Sequence, residues 1–255
     1  MQIRPKKYLG QHFLKDPNIA LQIVHALSSI DPVDTIIEVG PGTGILTNFL
    51  AVKYGEKLLM IDVDARSITY LKKKFPGLGS SIIHGDFLKM DLGSLQGEKV
   101  GVIGNFPYNI SSQIFFKILE NKDKVIGVVG MVQKEVGERI SAGPGNKSYG
   151  ILSVLLSAYY DIEYLFTVEP DVFYPPPKVR SSVLRLTRNA VTHLDCNEDF
   201  FVKIVKLGFQ NRRKTLRNAL KALNLPEKIY KLDILSRRAE QLSVDEFVEL
   251  TLKMT

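Results

Sequence analysis

The sequence predicts an α/β protein in which a mostly parallel sheet is followed by a small α-helical domain. Between Thr35 and Val132, short apolar runs rich in β-branched residues alternate with segments of helical spacing, which is the pattern of parallel strands joined by crossover helices. The stretch Asn189–Asn197 is polar and has no period, and helical spacing dominates after it. We therefore expect two domains, residues 1–188 and residues 189–255.

The elements follow in order along the chain. Asp16 and Pro17 predict a helix start, because aspartate caps a helix and proline suits its first turn, and this helix should run to about Ile30. Strands are predicted at Thr35–Val39, Lys57–Ile61, Ser80–His84 and Val100–Gly104. Further helices are predicted at Ala65–Lys74, Gln133–Ile140 and Ser148–Tyr159.

The later part of the chain contains two more predicted strands and a final helix. The strands Glu163–Val168 and Arg180–Thr187 should form an antiparallel pair. Three consecutive prolines, residues 175–177, lie between them and require an extended, rigid connection. Ser243 and Glu246 have the spacing of a capping box and predict the start of the last helix.

Composition limits the classes of protein to which the chain can belong. It has 255 residues, of which 45% are hydrophobic, enough for a sizeable core. Its one cysteine, Cys196, excludes an intramolecular disulfide framework and is typical of a reducing cytoplasm. No signal segment precedes Tyr8 and no apolar run reaches membrane-spanning length, so we expect a cytoplasmic protein with no membrane partner. The net charge of +7 and the pI of about 9.3 favour a polyanionic partner.

A glycine cluster joins the first strand of the alternating region to the next helical pattern. Gly40-Pro41-Gly42-Thr43-Gly44 directly follows Thr35–Val39, and strand, glycine turn and helix together are the context of a nucleotide site. Ile45 stands where a dinucleotide-binding loop has its last glycine, and Pro41 lacks a backbone N–H that a pyrophosphate would use. The loop therefore suits a ligand with an adenosine but no pyrophosphate, of which S-adenosylmethionine is the obvious example.

Aspartates follow the next two predicted strands. Asp62 ends the run Lys57–Ile61, about 20 residues beyond the glycine loop, where a carboxylate would meet ribose hydroxyls. Asp86 follows Ser80–His84 and is expected to accept a hydrogen bond from the adenine amino group of the cofactor, with Phe87 beside it. The alternative role for either aspartate is a helix N-cap, which is frequent for Asp after a strand.

The run Asn105-Phe106-Pro107-Tyr108 follows the strand Val100–Gly104. The N6 amine of adenine is a poor nucleophile because its lone pair is delocalised into the purine. An Asn side-chain oxygen and a backbone carbonyl held by a following proline can accept both N6 hydrogens, and the tyrosine ring can stack on an extruded base. The alternative is a turn in which Pro107 merely ends the strand. Direct transfer from a sulfonium requires no metal, and we expect none.

Seven ordered blocks extend this pattern from about Tyr8 to Leu223. They are Gly10–Leu14 (G-Q-H-F-L), Glu38–Gly44 (E-V-G-P-G-T-G), Gly85–Asp86 (G-D), Gly104–Ser111 (G-N-F-P-Y-N-I-S), Gln133–Val136 (Q-K-E-V), Val172–Ser181 (V-F-Y-P-P-P-K-V-R-S) and Phe209–Asn218 (F-Q-N-R-R-K-T-L-R-N). In these blocks the chain resembles the small-subunit (16S) ribosomal RNA adenine N6-dimethyltransferases, the KsgA family.

The resemblance implies a fold and a reaction. The fold is a Rossmann-like class I S-adenosylmethionine-dependent methyltransferase sheet with a small C-terminal α-helical domain. The reaction converts two adjacent adenosines, in a loop near the 3′ end of small-subunit rRNA, to N6,N6-dimethyladenosine and releases S-adenosylhomocysteine. The implied setting is the pre-30S subunit during ribosome biogenesis, with the enzyme acting as a monomer.

The resemblance also implies roles for individual residues. The target adenine is expected to contact Asn105, Phe106, Pro107, Tyr108 and Phe173. Phe173 would form the wall opposite Tyr108, and core packing beneath the proline run is the alternative. The residues expected to bind the cofactor are His12, Leu14, Glu38, Gly40, Gly42, Asp62, Asp86, Phe87 and Asn105.

Two of these positions depart from the family pattern. His12 stands where the family usually has Asn, and Asp62 where it usually has Glu. Asp62 should still bind ribose, because it keeps the carboxylate one methylene shorter. His12 keeps a hydrogen-bonding group, and its alternative role is that of a surface residue in a flexible arm.

A run of cations is expected to contact RNA. The segment Lys203–Lys221 has seven basic residues and no acidic one, whereas solvated helices normally mix signs. Apolar residues from Val202 to Leu223 keep helical spacing, so one face should be core and the others cationic. The residues expected to contact rRNA phosphates are Arg212, Arg213, Lys214 and Arg217.

Three other functions are open at the level of sequence. A related family methylates large-subunit rRNA and confers antibiotic resistance, but the blocks P-P-P-K-V and F-Q-N-R-R-K-T favour the small-subunit enzyme. A DNA adenine methyltransferase would want a target-recognition domain, for which the residues after 188 are too few. A non-catalytic ribosome assembly factor with a vestigial pocket is disfavoured, because Asn105 and the glycine loop are intact.

Overall fold

The computed structural model describes residues 4–30, 32–224 and 226–255, which group into two compact units. One unit comprises the residues up to 137 and residues 162–188, and the other comprises residues 138–161 and 189–255. The sequence assigned residues 138–161 to the first domain, whereas the structure groups them with the C-terminal residues. The packing explains this difference, because the Tyr149 ring lies edge-on against Phe209, with 5.9 Å between their centroids.

The strands can be numbered along the chain. Within the described residues they are β1 (Phe13–Leu14), β2 (Thr35–Val39), β3 (Leu58–Asp62), β4 (Ile82–His84), β5 (Val100–Asn105), β6 (Val125–Gln133), β7 (Tyr160–Val168), β8 (Phe173–Tyr174) and β9 (Ser181–Arg188).

The main sheet has the order β4-β3-β2-β5-β6-β9-β7. The pairs from β4 to β6 are parallel, and β9 runs antiparallel to β6. The predicted late strands are neighbours as expected, but pairing of β9 with β6 was not foreseen. Because β2, β3 and β5 are adjacent and parallel, their carboxyl ends meet at one edge of the sheet, where such folds bind ligands.

The helices connect and cover these strands. They are α1 (Pro17–Leu27), α2 (Thr47–Tyr54), α3 (Ala65–Lys74), α4 (Ser111–Glu120), α5 (Lys134–Ile140), α6 (Ile151–Ser157), α7 (Glu198–Gln210), α8 (Leu216–Ala219), α9 (Glu227–Tyr230) and α10 (Val244–Met254). Short 3-10 turns occur at Lys7–Leu9, Ser28–Ile30, Gly55–Lys57, Pro76–Ser81, Phe87–Lys89, Pro170–Val172, Lys221–Leu223, Asp233–Ser236 and Ala239–Gln241.

Local sequence accounts for several helix boundaries. The Asp16 carboxylate accepts hydrogen bonds from the backbone amides of Asn18 and Ile19, which caps α1 as predicted. The Ser243 hydroxyl accepts from the Glu246 amide at 3.2 Å, and the Glu246 carboxylate accepts from the Ser243 amide at 2.9 Å. This reciprocal pair is the predicted capping box of α10.

The core lies between the sheet and its helices. All five residues of β2 are buried, as expected for a central strand of a parallel sheet covered on both faces. Apolar side chains from α1, α2 and α3 pack on this region, among them Ile23, Leu50 and Leu71, each fully buried. The acidic side chain of Glu38 interrupts the apolar residues of β2, and it is only 1% exposed.

Two further features depart from the sequence prediction. The short antiparallel pair β1–β8 was not anticipated, because two-residue strands far apart in sequence leave no periodic pattern. The basic segment is not one helical stretch: α7 ends at Gln210, residues 211–214 form a turn, and α8 is a separate short helix. Helical spacing of apolar residues survives across the break, which is why the pattern alone concealed it.

Candidate functional site

The glycine loop between β2 and α2 has a backbone that only glycine adopts readily. Gly40, Gly42 and Gly44 have φ values of +67°, +56° and +75°, in the left-handed region. The Gly40 amide donates to the Ile61 carbonyl at 2.9 Å, which ties the loop to β3. A Cβ on Gly42 would lie 2.8 Å from the Phe13 ring, whereas one on Gly40 would make only ordinary contacts, the nearest with the Pro107 ring at 3.8 Å.

Two adjoining clefts lie beside this loop, at the carboxyl edge of the sheet. The larger has an empty volume of about 470 Å³, counting its part open to solvent, and the smaller about 270 Å³. Gly40, Gly42, Asn105 and Phe13 line both clefts. The larger is also lined by His12, Asp62, Phe106, Pro107 and Tyr108, and the smaller by Leu14 and Glu38. Most of the predicted site residues therefore meet in one place.

Asp62 lies at the end of β3 on the wall of the larger cleft. It is 7% exposed, and this burial raises its pKa, while hydrogen bonds from the backbone amides of Asp64 and Gly42 oppose the rise. The Asp64 amide donates to Asp62 Oδ1 at 2.8 Å. The carboxylate is thus held rigidly beside the glycine loop, with acceptor capacity for a ligand's hydroxyl groups.

Glu38 occupies the floor of the smaller cleft. The Thr47 hydroxyl donates to Glu38 Oε2 at 2.6 Å, inside the protein. Burial raises the pKa of Glu38 from 4.5 to about 7, and the neighbouring Asp62 charge adds to the rise. A cationic ligand group beside Glu38 would favour its ionised form, so this residue is suited to a site that receives positive charge.

Asn105, at the end of β5, has an amide whose orientation is fixed by chemistry. Its Nδ2 donates to the backbone carbonyl of His12 at 2.7 Å, and because a carbonyl can only accept, this end of the amide must be the NH₂ group. Oδ1 therefore lies at the opposite end, with no hydrogen-bond partner among the described residues. The N-terminal arm (residues 4–12) thus fixes the amide so that Oδ1 remains an available acceptor. Asn105 lines both clefts.

Tyr108 is held at its hydroxyl and on one face. The Tyr108 and Ser181 hydroxyls share a hydrogen bond of 2.7 Å, and burial raises the tyrosine pKa. The His12 ring stacks on Tyr108 with 5.3 Å between centroids and 27° between planes, the range for two rings in direct contact. His12 Nδ1 in turn donates to the Pro175 carbonyl at 2.7 Å. A base that stacks on this face of Tyr108 must therefore take the place of the His12 ring.

Two aromatic residues of the predicted base pocket have buried rings. Phe106 lines the larger cleft but is 0% exposed, and its ring packs edge-on against Phe115 with 5.9 Å between centroids. Phe173 is 1% exposed and belongs to the hydrophobic core. The Phe173 ring therefore packs in the core of this structure and lines neither of the two clefts, and its role as a wall of the base pocket stays a prediction.

Asp86 and Phe87 lie beyond the residues that line the two clefts. The Asp86 carboxylate accepts from the Leu88 amide at 3.0 Å and caps the following 3-10 turn, the alternative role considered from the sequence. Phe87 is 3% exposed. The sheet nevertheless brings this segment near the site, because the Gly85 amide donates to the Asp62 backbone carbonyl at 3.0 Å.

Sequence reasoning missed the group that fixes the N-terminal arm. The Asp64 carboxylate accepts from Arg66 at 3.0 and 2.7 Å, from Gln11 Nε2 at 3.3 Å and from Lys6 Nζ at 3.3 Å. These contacts hold the pKa of Asp64 well below its usual range, the Arg66 hydrogen bonds most of all. Asp64 also caps α3, because its carboxylate accepts from the Arg66 amide. Gln11 stands in the block G-Q-H-F-L, next to the predicted cofactor-binding residue His12, and this position was the sequence signal that it has a role near the site.

The predicted RNA-contacting cations lie in the other unit. Arg212, Arg213, Lys214 and Arg217 are all exposed. Arg212 differs from the others, because its Nη2 donates to the carbonyls of Lys147 and Tyr149, at 2.6 and 2.9 Å. Its guanidinium therefore fastens residues 147–149 to the turn after α7.

Membrane-spanning and metal-binding features are absent from the described part of the chain. The described residues hold no helix that combines the length and the apolar character needed to cross a membrane. They also hold no group of three or more His, Cys, Asp or Glu side chains placed to bind a metal ion. The expected independence of metal stays a prediction.

Comparison with known proteins decides the family. A family model described as ribosomal RNA adenine dimethylase matches residues 3–254. The chain belongs to the ribosomal RNA adenine dimethylase family. Ribosomal RNA small subunit methyltransferase A of Cytophaga hutchinsonii is 54% identical, over 98% of this chain and 97% of that protein. The protein of the same name from Flavobacterium johnsoniae is 49% identical, over 99% and 97%.

Solved structures agree with this membership of the ribosomal RNA adenine dimethylase family. A dimethyladenosine transferase from Plasmodium falciparum has a TM-score of 0.80 and 28% identity, covering 95% of this chain and 97% of that one. The 23S rRNA methyltransferase ErmE has a TM-score of 0.68 at 22% identity, over 94% and 99%, and supports the fold alone. The family, the class I methyltransferase fold and the reading of the chain as an rRNA adenine methyltransferase are confirmed.

Proposed function

We propose that the protein transfers methyl groups from S-adenosylmethionine to N6 of two adjacent adenosines in a loop near the 3′ end of small-subunit rRNA. The products are N6,N6-dimethyladenosine and S-adenosylhomocysteine, and the enzyme acts as a monomer in the cytoplasm on the pre-30S subunit. Family membership and the names of relatives about half identical to this chain support the substrate. The observation that carries the chemistry is the Asn105 amide, fixed by His12 with its oxygen available.

The clefts fit the cofactor. Gly40 leaves the space that a Cβ would fill, so a ligand can approach the loop backbone closely. The buried Asp62 carboxylate can accept hydrogen bonds from ribose hydroxyls, and Glu38 can face the amino acid ammonium of the ligand. Bound there, S-adenosylmethionine supplies an electrophilic sulfonium methyl.

The protein's own groups prepare the target amine. Asn105 Oδ1 and the Phe106 carbonyl, whose position is fixed by the following Pro107, can accept the two N6 hydrogens. Accepting both hydrogens draws the nitrogen lone pair out of the purine system and aims it at the methyl group. Such oriented polar groups stabilise the transition state because they need no reorganisation during the reaction. Tyr108, fixed by Ser181, supplies the ring face that receives the adenine when the His12 ring leaves it.

The second unit is proposed to dock the RNA. Arg213, Lys214 and Arg217 are exposed and have no acidic residue within their segment, so phosphates are their natural counterions. We assign Arg212 a structural role as well, because its guanidinium is engaged by two backbone carbonyls.

The decisive experiment is methylation of purified undermethylated small subunits with cofactor labelled in the methyl group, followed by nucleoside analysis of the rRNA. We expect the label in N6,N6-dimethyladenosine, at two adjacent positions. Large subunits treated in parallel are the control and should stay unlabelled. Label in the large subunit, or cofactor binding without transfer to either subunit, would contradict the proposal and favour one of the alternative functions.

A further inference from the structure

The β1–β8 pair sorts its four side chains onto two faces. Phe13 lies directly opposite Tyr174, and Leu14 directly opposite Phe173. Residues directly opposite each other in an antiparallel pair project to the same face, and successive residues alternate between faces. Leu14 and Phe173 are 3% and 1% exposed, so their shared face is the core face. Phe13 and Tyr174 therefore share the other face.

The second face belongs to the candidate site. The Phe13 ring lies against Gly42 of the glycine loop and lines both clefts. Tyr174 projects from the same face but is not among the cleft-lining residues, and it is 54% exposed. Pro175, the next residue, accepts the hydrogen bond that holds His12 on Tyr108. Tyr174 thus shares a face with the cleft-lining Phe13 and is next in the chain to the residue that holds His12.

Nothing in the described structure accounts for this exposed ring. The ring is 54% exposed, and among the described residues its hydroxyl has no hydrogen-bond partner and its ring no aromatic or cationic partner. Two exposed cations occur nearby in the chain: Lys15 directly follows β1, and Lys178 lies four residues after Tyr174. Acidic residues also occur before the strand, where Glu169 is paired with Arg180 at 3.7 Å and Asp171 is exposed.

We propose that Tyr174 is a stacking platform for the base of the nucleotide that flanks the target adenosine. This rests on the proposed function, because it takes single-stranded rRNA as the occupant. Proteins bind single-stranded nucleic acid by stacking bases on exposed aromatic rings, since every base has a π-face. The flanking nucleotide is favoured over the target because Tyr174 lies outside the clefts, and only the target base enters them.

The test measures binding of the full-length protein to a synthetic RNA hairpin whose loop holds the two adjacent adenosines, by fluorescence anisotropy. Tyr174→Ala should weaken binding by roughly five- to 150-fold, the range for loss of one base stack. Tyr174→Phe should bind like the wild type, because it keeps the ring. Tyr174→Leu should resemble the alanine variant, because it keeps apolar bulk without a flat face. Val179→Ala, at an exposed apolar position on the same connection, is the matched control and should have no effect.

A second set of hairpins shows which nucleotide is stacked. A nucleotide without a base is placed on the 5′ or the 3′ side of the adenosine pair. On one of these hairpins the wild type and Tyr174→Ala should bind equally, because the partner of the ring has been removed. Equal binding of wild type, alanine and leucine variants to the complete hairpin would overturn the proposal. So would a loss in Tyr174→Ala that is unchanged on both altered hairpins.

Methyl transfer measured in parallel separates this inference from the proposed function. If the wild type fails to methylate small subunits, the proposed function fails, while the binding series still decides the role of Tyr174. If the wild type methylates and Tyr174→Ala binds the hairpin normally, only the stacking platform fails. Cofactor affinity should be the same in all the Tyr174 variants.

Discussion

The sharpest prediction of the site geometry concerns Asn105→Ala. The substitution removes two interactions that differ in consequence. One is the Oδ1 acceptor, which we assign to the target amine, and the other is the 2.7 Å hydrogen bond from Nδ2 to the His12 carbonyl. The first acts in the transition state and the second acts in the folded protein.

The two losses have different magnitudes. Removing one oriented group that stabilises a transition state lowers kcat by about 10²- to 10³-fold. Losing one side chain–backbone hydrogen bond lowers the free energy of unfolding by about 0.5–1.5 kcal/mol, a decrease in Tm of about 1–6 °C for a chain of this size. The catalytic loss should therefore far exceed what the small loss of stability can explain.

The assay combines methyl transfer to undermethylated small subunits, cofactor binding by calorimetry and thermal unfolding by circular dichroism. Asn121→Ala is a matched control, because Asn121 Nδ2 also donates to a backbone carbonyl, that of Lys117 at 2.8 Å, away from the clefts. Both variants should show the small decrease in Tm, and only Asn105→Ala should lose turnover. A turnover within about tenfold of the wild type would refute the assigned role of Asn105.

Three further predictions follow from the same structure. Gly42→Val should abolish S-adenosylmethionine binding in calorimetry, because its Cβ would lie 2.8 Å from the Phe13 ring at a φ of +56°; retained affinity would contradict the loop assignment. Glu38 has its pKa raised from 4.5 to about 7, so its contribution to stability is full below pH 4.5 and is lost as pH rises through 7. As pH rises from 4.5 to above 7, the free energy of unfolding of the wild type should therefore fall by about 3 kcal/mol more than that of Glu38→Gln. The same pH dependence of unfolding in both proteins would contradict this. Arg212→Ala should lower Tm, because it removes hydrogen bonds to two backbone carbonyls. A triple variant with alanine at Arg213, Lys214 and Arg217 should instead reduce the slope of log affinity for small subunits against log salt, by up to about 0.7–0.9 per lost contact. An unchanged slope in a well-folded triple variant would show that these residues make no RNA contacts.

The bounds of individual strands and helices could be predicted from the sequence where their causes are local. The bounds of β2 and α3 were predicted residue for residue, since β-branched runs and an Asp cap act within a few residues. The positions of the glycine loop, Asp62 and Asn105 were also predictable. Each follows a strand of an alternating α/β pattern, and parallel strands bring their carboxyl ends to one edge.

Tertiary structure decided what depends on contacts between distant segments. That Phe173 is buried and Tyr174 exposed follows from the register of β8 against β1, about 160 residues earlier, and a shift of one residue would exchange the two faces. The orientation of Asn105 depends on a carbonyl of the N-terminal arm, and the stacking of His12 on Tyr108 depends on Pro175. Sequence specifies which side chains are available, but hydrogen-bond direction and strand register arise only when remote segments meet.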